Sequence, residues 1–245
     1  MDMSEPVAAG GAILMVASEA REFRGILRNC GNTVRLDWPV DFAQSADWKG
    51  HRLVCIANGP GFQLAEKAVK VAGAKERFRA VVSTGFCGGL DPRLAVGDIV
   101  EVSGVLDVQA GSRYVCGSVS SSTRTAGGLL ASQDRVAETA REKAELHSST
   151  GAIAVEMEAA VVAKFAANLG AAFFCFRAIS DTASHSFSIQ LNQLRDAEGR
   201  FSKGRIVLEA LRKPWSRIPG LIRLDRDCKL AEIRLGEFFA NCNFA

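Results

Sequence analysis

Short apolar runs alternate along the chain with stretches of helical period. Residues 12–17, 53–58, 80–84, 97–102 and 173–179 read as buried strands. Residues 18–29, 62–74 and 157–168 repeat their apolar positions every three or four residues, and Gly170 closes the last of these stretches. Strands and helices in alternation predict an α/β protein: a single three-layer domain with a mixed central sheet flanked by helices. In such sheets ligands sit beyond the carboxyl ends of the strands. Residues 38–49 and 104–130 are less regular, and the second, rich in Ser, Gly and Thr, is either a flap over a site or a surface excursion. Lys213-Pro214-Trp215 and Ile218-Pro219-Gly220 break the pattern before a final helix at 221–239. The expected division is a catalytic domain over 1–212 and a basic helical extension over 213–245 packed on it.

With 245 residues and 48% of them hydrophobic, one substantial core is affordable. The net charge of +3 is too small to indicate nucleic acid, and the positive excess lies in the tail after residue 202. Seven cysteines, Cys30, Cys55, Cys87, Cys116, Cys175, Cys228 and Cys242, contain no C-x-x-C pair and fall largely inside apolar runs. Free buried thiols in a reducing cytoplasm are the expectation. The apolar run 7–17 follows Asp2 and Glu5 and no basic residue, so it reads as a first strand rather than a signal peptide. His51, His147 and His185 have no metal-ligand spacing, and neither a metal nor an organic cofactor is expected.

Two segments carry the candidate chemistry. Glu156-Met157-Glu158 places two carboxylates around a soft apolar side chain, which suits a ribose ring on which positive charge develops. The same residues also fit a helix first turn with a core methionine. Asp181 ends the apolar run Phe173 to Ser180 and suits protonation of a departing base, provided that its carboxyl is raised by desolvation or a nearby carboxylate. It also fits a helix N-cap. Thr84-Gly85-Phe86-Cys87-Gly88-Gly89 and Asn58-Gly59-Pro60-Gly61 follow strands and offer backbone amides to a substrate or phosphate, or simply form turns. Arg21, just after the first strand, combines a guanidinium with helix N-terminal amides.

In this order, these segments resemble the purine nucleoside phosphorylase and 5′-methylthioadenosine/S-adenosylhomocysteine nucleosidase superfamily. The Val-Glu-Met-Glu-Ala and Arg-Ala-Ile-Ser-Asp motifs are its most specific marks. Lys143-Ala144-Glu145-Leu146-His147, Thr150-Gly151-Ala152 and the basic tail look like its hopanoid-associated phosphorylases. The resemblance implies cleavage of the N-glycosidic bond of an adenine-type nucleoside. Asp181 would be the general acid, with Ser180 beside it. Glu158 and Met157 would contact the ribose, supported by Glu156, and Thr84, Gly85 and Phe86 would line the substrate. Val136 falls near an aromatic base-stacking position.

Nucleosidases carry a water-activating Glu where the ungapped match puts Arg21, and related phosphorylases have a phosphate-binding Arg there. Phosphorolysis is therefore the main expectation, with phosphate as co-substrate held by Arg21, Gly61 and the Gly85–Gly89 backbone. Hydrolysis, with Glu19 or Glu22 positioning water, is the alternative, and Phe86, where a Ser is usual, also admits a non-catalytic binding or storage protein. The resemblance further implies a homo-oligomer. The basic helix 221–239 is a candidate for contact with an anionic membrane surface, against packing on its own domain or on a second subunit.

Overall fold

The computed structural model describes residues 11–244, so the run 7–17 is seen only from Gly11 onward and its earlier part lies outside the described residues. Among the described residues, eleven strands form one mixed sheet. Its first half contains β1 (Ala12–Ala17), β2 (Gly31–Arg35), β3 (Phe42–Trp48), β4 (His51–Ala57) and β5 (Phe78–Ser83). The second contains β6 (Phe86–Gly89), β7 (Ile99–Asp107), β8 (Arg113–Val115), β10 (Ala126–Ser132) and β11 (Ala154–Glu156), and β12 (Ala172–Asp181) joins the halves. Between β8 and β10 lies β9 (Val119–Ser121), which pairs with β13 (Cys242–Phe244) as a separate ribbon.

The alternation of a strand buried on both faces is visible in β1. Leu14 and Val16 enter the core cluster under α2 (Phe62–Lys75) and α4 (Ala159–Leu169), while Ile13 and Met15 face α1 (Arg24–Leu27) and α6 (Pro214–Ala240). The remaining helices are α3 (Ala140–Thr150) and α5 (Lys203–Arg212). The protein is thus a single α/β domain with a mixed central sheet and helices on both faces.

Three local expectations change. Residues 38–49 contain β3, fully paired with β4, and 104–130 contain the end of β7 together with β8, β9 and much of β10. Ladder pairing there overrides a composition that reads as loop. The glycine-rich stretch after β5 is also a strand rather than a turn. β5 and β6 pair with successive parts of β12, in the same register on either side of the interruption at Thr84-Gly85, and the register then shifts by one residue between Ile179 and Asp181. Gly85 adopts φ +126°, and a Cβ there would collide with the Glu22 carboxyl and lie 2.9 Å from Arg177 Nη1, so only glycine fits.

Of the two predicted breaks, the one at Lys213-Pro214-Trp215 is present, since Lys213 (φ −139°, ψ 68°) separates α5 from α6 and Pro214 takes the first position of α6. The one at Ile218-Pro219-Gly220 is absent, since α6 continues through Pro219. An internal proline costs a helix about 3 kcal/mol. Burial of Ala231, Leu235, Phe238 and Phe239 further along offsets that, because tertiary packing dominates helix stability. The helix crosses α1 at a backbone contact, where a Cβ on Gly236 would meet Gly25 at 2.6 Å. Asn29 Nδ2 donates to the carbonyls of both Gly25 and Gly236.

Candidate active site

The ends of β1, β6, β11 and β12 converge on one cavity, lined among others by Glu22, Phe86, Val136, Met157, Glu158, Ser180 and Asp181. β12 is the organising element. Its long apolar run buries Arg177 completely and then delivers Ser180 and Asp181 to the cavity at its carboxyl end. No helix follows Asp181, so capping does not explain that residue.

Arg177 ties the floor together. It donates to Glu156 Oε2 at 2.5 Å, to Ser83 Oγ at 2.7 Å and to the Thr84 carbonyl at 2.5 Å. Glu156 also accepts from the amides of Glu158 and Ala159 at the start of α4. Its charge is thus consumed by a guanidinium and helix N-terminal donors, which fixes the turn that presents Met157 and Glu158. Glu158 accepts the Gly61 amide at 2.9 Å. Burial, reinforced by the neighbouring Glu156, pushes its carboxyl well above the usual 4.5.

The first-strand exit departs most from expectation. Glu22, 4% exposed, faces the cavity and accepts from the amides of Phe86 at 2.6 Å and Glu19 at 2.8 Å. Glu19 and Glu22 form a reciprocal capping box around a short 3₁₀ turn at Ala20–Phe23, which turns the Glu22 carboxyl inward. Burial raises its pKa above 4.5. Arg21 is not brought to the cavity. It reaches Asp225 of α6 at 3.4 Å, with its guanidinium 5.8 Å from the centre of the Phe86 ring. Gly61 does not line the cavity either, since its amide serves Glu158 and its neighbour Pro60 is the lining residue. Thr84 and Gly85 lie beneath the cavity, where they accommodate Arg177 and Glu22.

On the opposite side, Asp181 is paired with Lys143, which is fully buried and also donates to the Thr182 carbonyl at 2.8 Å. Ser180 Oγ stands 3.0 Å from Asp181 Oδ1 and 3.2 Å from the Cys87 carbonyl, and can donate to one of them. A buried ammonium therefore partners Asp181, where the sequence suggested an apolar rim or a second carboxylate. The Thr139–Glu142 capping box orients α3 so that Lys143 is its buried side chain.

The roof comes from distant sequence. The Asn192 side-chain amide pairs with the backbone of Val136 in both directions. Arg195 donates to the Asp134 carbonyl at 2.8 Å and to its carboxylate at 2.9 Å, and the Phe187 amide donates to Glu138. These bonds fold residues 182–201 over 134–138 and bring Phe187 and Phe201 to the cavity beside Val136. Neither aromatic stood out in the sequence. Lys143 stood out only as part of a motif, and Glu22 only beside Glu19, as one of two candidates to position water in the hydrolytic alternative. The one available signal was the three-residue spacing of Glu19 and Glu22 that builds the capping box.

Among the described residues, no group of three or more His, Cys, Asp and Glu side chains could hold a metal ion. All seven cysteines are free thiols, and burial pushes that of Cys30 up to about 11. No described helix is long and apolar enough to cross a membrane.

Comparison with known proteins agrees with this architecture. The 5′-methylthioadenosine/S-adenosylhomocysteine nucleosidases of Mycobacterium bovis and Mycobacterium tuberculosis are each 23% identical, over 82% of this chain and 96% of theirs. Among solved structures, the nucleosidase of Neisseria meningitidis in complex with methylthio-immucillin-A superposes with a TM-score of 0.69 at 21% identity, over 94% of this chain and 97% of that one. The Streptococcus pneumoniae nucleosidase, with a transition-state inhibitor, gives 0.71 at 19% identity, over 94% and 96%. The model of the Phosphorylase superfamily matches residues 13–120 and 118–212, and the chain belongs to that superfamily.

Proposed function

We propose that this enzyme hydrolyses the N-glycosidic bond of a 5′-substituted adenine nucleoside of the methylthioadenosine or S-adenosylhomocysteine type, with water as nucleophile. The observation that carries the reading is the exchange at the end of β1, where the Glu22 carboxyl faces the cavity and Arg21 faces α6. Phosphate binding needs uncommitted cations or donors. Among the described residues, each cation lining the cavity is already paired, Lys143 with Asp181 and Arg135 with Glu142. Among the described residues, two buried carboxyls that line the cavity, Glu22 and Glu158, have no ion-pair partner, and in their ionised form they offer a phosphate acceptors rather than donors. A water accepting from neither of them can still donate to both.

In this reading, Glu158 accepts from a ribose hydroxyl and stabilises positive charge as the bond to the base lengthens. Met157 provides a polarisable surface beneath the sugar. Glu22 takes a proton from the attacking water, and its raised pKa brings its basicity closer to neutral pH. The Lys143 ammonium supplies a proton that passes through the Asp181 carboxylate, oriented by Ser180, to the departing base, which Val136, Phe187 and Phe201 enclose. The nucleosidases it resembles in sequence over most of their length favour the same reaction. The assembled carboxyl set counts against a purely binding or storage protein despite Phe86.

The test is adenine release from methylthioadenosine and S-adenosylhomocysteine, with and without phosphate, and with identification of the sugar product. Phosphate-independent release of the free sugar is expected. A phosphate requirement with a sugar 1-phosphate product would overturn the reading in favour of phosphorolysis.

A further inference from the structure

The exposed large apolar side chains of the described chain are concentrated away from the cavity. Val207, Leu208 and Leu211 lie on α5, and Trp215, Ile218 and Ile222 follow on the first turns of α6. Trp215 is 94% exposed and Leu211 62%. These residues do not hold the helices in place. The other face of α5, through Ile206 and Ala210, packs with Ile189, Leu194 and Leu221 and attaches the segment to the domain. A run of exposed apolar residues at helical spacing marks a surface that meets an apolar phase.

The charges around the run select that phase. Residues 204–227 carry six basic side chains, Arg205, Arg212, Lys213, Arg217, Arg223 and Arg226, against three acidic ones, Glu209, Asp225 and Asp227. Glu209 is occupied by Arg212 and Arg217, Asp225 by Arg21 and Lys229, and Asp227 by Arg223 and Arg226, so each acidic group is already matched and the run keeps a positive excess. A second copy presenting the same run would set one cationic rim against another, and like charges at close range are repulsive. An anionic lipid surface satisfies both components. It takes apolar side chains and an aromatic at the headgroup level, with Arg and Lys at the rim. Among the described residues no helix is long and apolar enough to span the bilayer, so the segment would lie on it.

We propose that α5 and the first turns of α6 dock this protein on an anionic lipid bilayer, with Leu211 and Trp215 inserted and Arg212 and Lys213 at the phosphates. This places the contact upstream of 221–239, the helix that the sequence nominated, whose Ala231, Leu235, Phe238 and Phe239 are buried in the domain. The docking residues are distinct from the cavity lining, so the proposal does not depend on the reaction assigned to the cavity.

The experiment is flotation of the full chain with vesicles of phosphatidylcholine alone and of phosphatidylcholine with phosphatidylglycerol. Binding is expected only to the anionic vesicles and should weaken as salt is raised. A basic residue near such a surface is worth roughly fivefold in partitioning, so Arg212→Glu with Lys213→Glu should lower binding by about 25-fold or more. Leu211→Ser with Trp215→Ser should lower it by a similar or larger factor. Thermal unfolding and cleavage of a soluble nucleoside should be unchanged in both variants, which separates lost docking from lost folding. Absence of binding to anionic vesicles, or binding that survives both variants, would overturn the proposal. So would a dimer in solution that the same substitutions dissociate, because the run would then be a subunit interface.

Discussion

The two sides of the cavity handle buried charge in opposite ways. On the side proposed to hold the base, Asp181 is matched by the buried Lys143 ammonium, and the pair is anchored to the Thr182 carbonyl. On the side proposed to hold the sugar, Glu22 and Glu158 are buried with backbone amides as hydrogen-bond donors and, among the described residues, no ion-pair partner, and both pKa values are raised. Glu156 shows that this is not a shortage of cations, since Arg177 binds it and leaves the other two unpaired. Unpaired carboxyls are what a developing cation and an attacking water require, and they cost stability to keep. The paired Asp181 costs less and is held in one orientation by Lys143 and Ser180.

The largest effect should come from the base side. Asp181→Asn is expected to lower kcat by about 10³-fold with a smaller change in KM, since a positioned proton donor contributes roughly 10² to 10⁴. Unchanged kcat would remove Asp181 from the reaction. On the sugar side, Glu22→Gln should cost about 10²-fold or more in kcat/KM, while Arg21→Ala should leave it within about threefold. The reverse ranking would break the comparison and restore a phosphate site. The acidic limb of kcat/KM in the native enzyme should lie above pH 4.5, because Glu22 must be ionised to act as a base.

Stability sharpens the contrast. Lys143→Met strands a buried carboxylate and should destabilise by about 3–5 kcal/mol in denaturant unfolding. Adding Asp181→Asn should recover much of that loss, and a double variant no more stable than Lys143→Met would mean that the lysine acts through packing instead. The smallest effect has the opposite sign. A carboxyl whose pKa is raised in the folded state binds its proton more tightly there, so its contribution is present below 4.5 and is lost as pH rises through the folded value. Glu22→Gln should therefore raise the melting temperature at pH 8 by a few degrees, roughly what 1 kcal/mol gives in a domain of this size, and the gain should vanish as pH falls toward 4.5.

Much of this molecule was legible locally. The buried strands β1, β4, β5 and β12 and the helices α2 and α4 were evident because apolar periodicity is a property of consecutive residues. The Glu156-Met157-Glu158 and Ser180-Asp181 motifs reach the cavity because each sits at the end of such an element. What local reading mistook were elements held by partners far along the chain. β3 is stabilised by its ladder with β4, β6 by its register on β12, and the turns around Pro219 by the packing of the rest of α6.

The sequence by itself determined the layered α/β class and the two carboxylate motifs, since hydrophobic period and strand ends are written in neighbouring residues. Only the tertiary structure decided which of Arg21 and Glu22 faces the cavity, because adjacent residues on a 3₁₀ turn point about 120° apart and a capping box sets the phase. It alone also decided that Lys143 meets Asp181 and that Phe187 and Phe201 close over Val136. Those meetings join segments tens of residues apart, and buried polar pairing and chain crossing arrange them without leaving a periodic trace in the sequence.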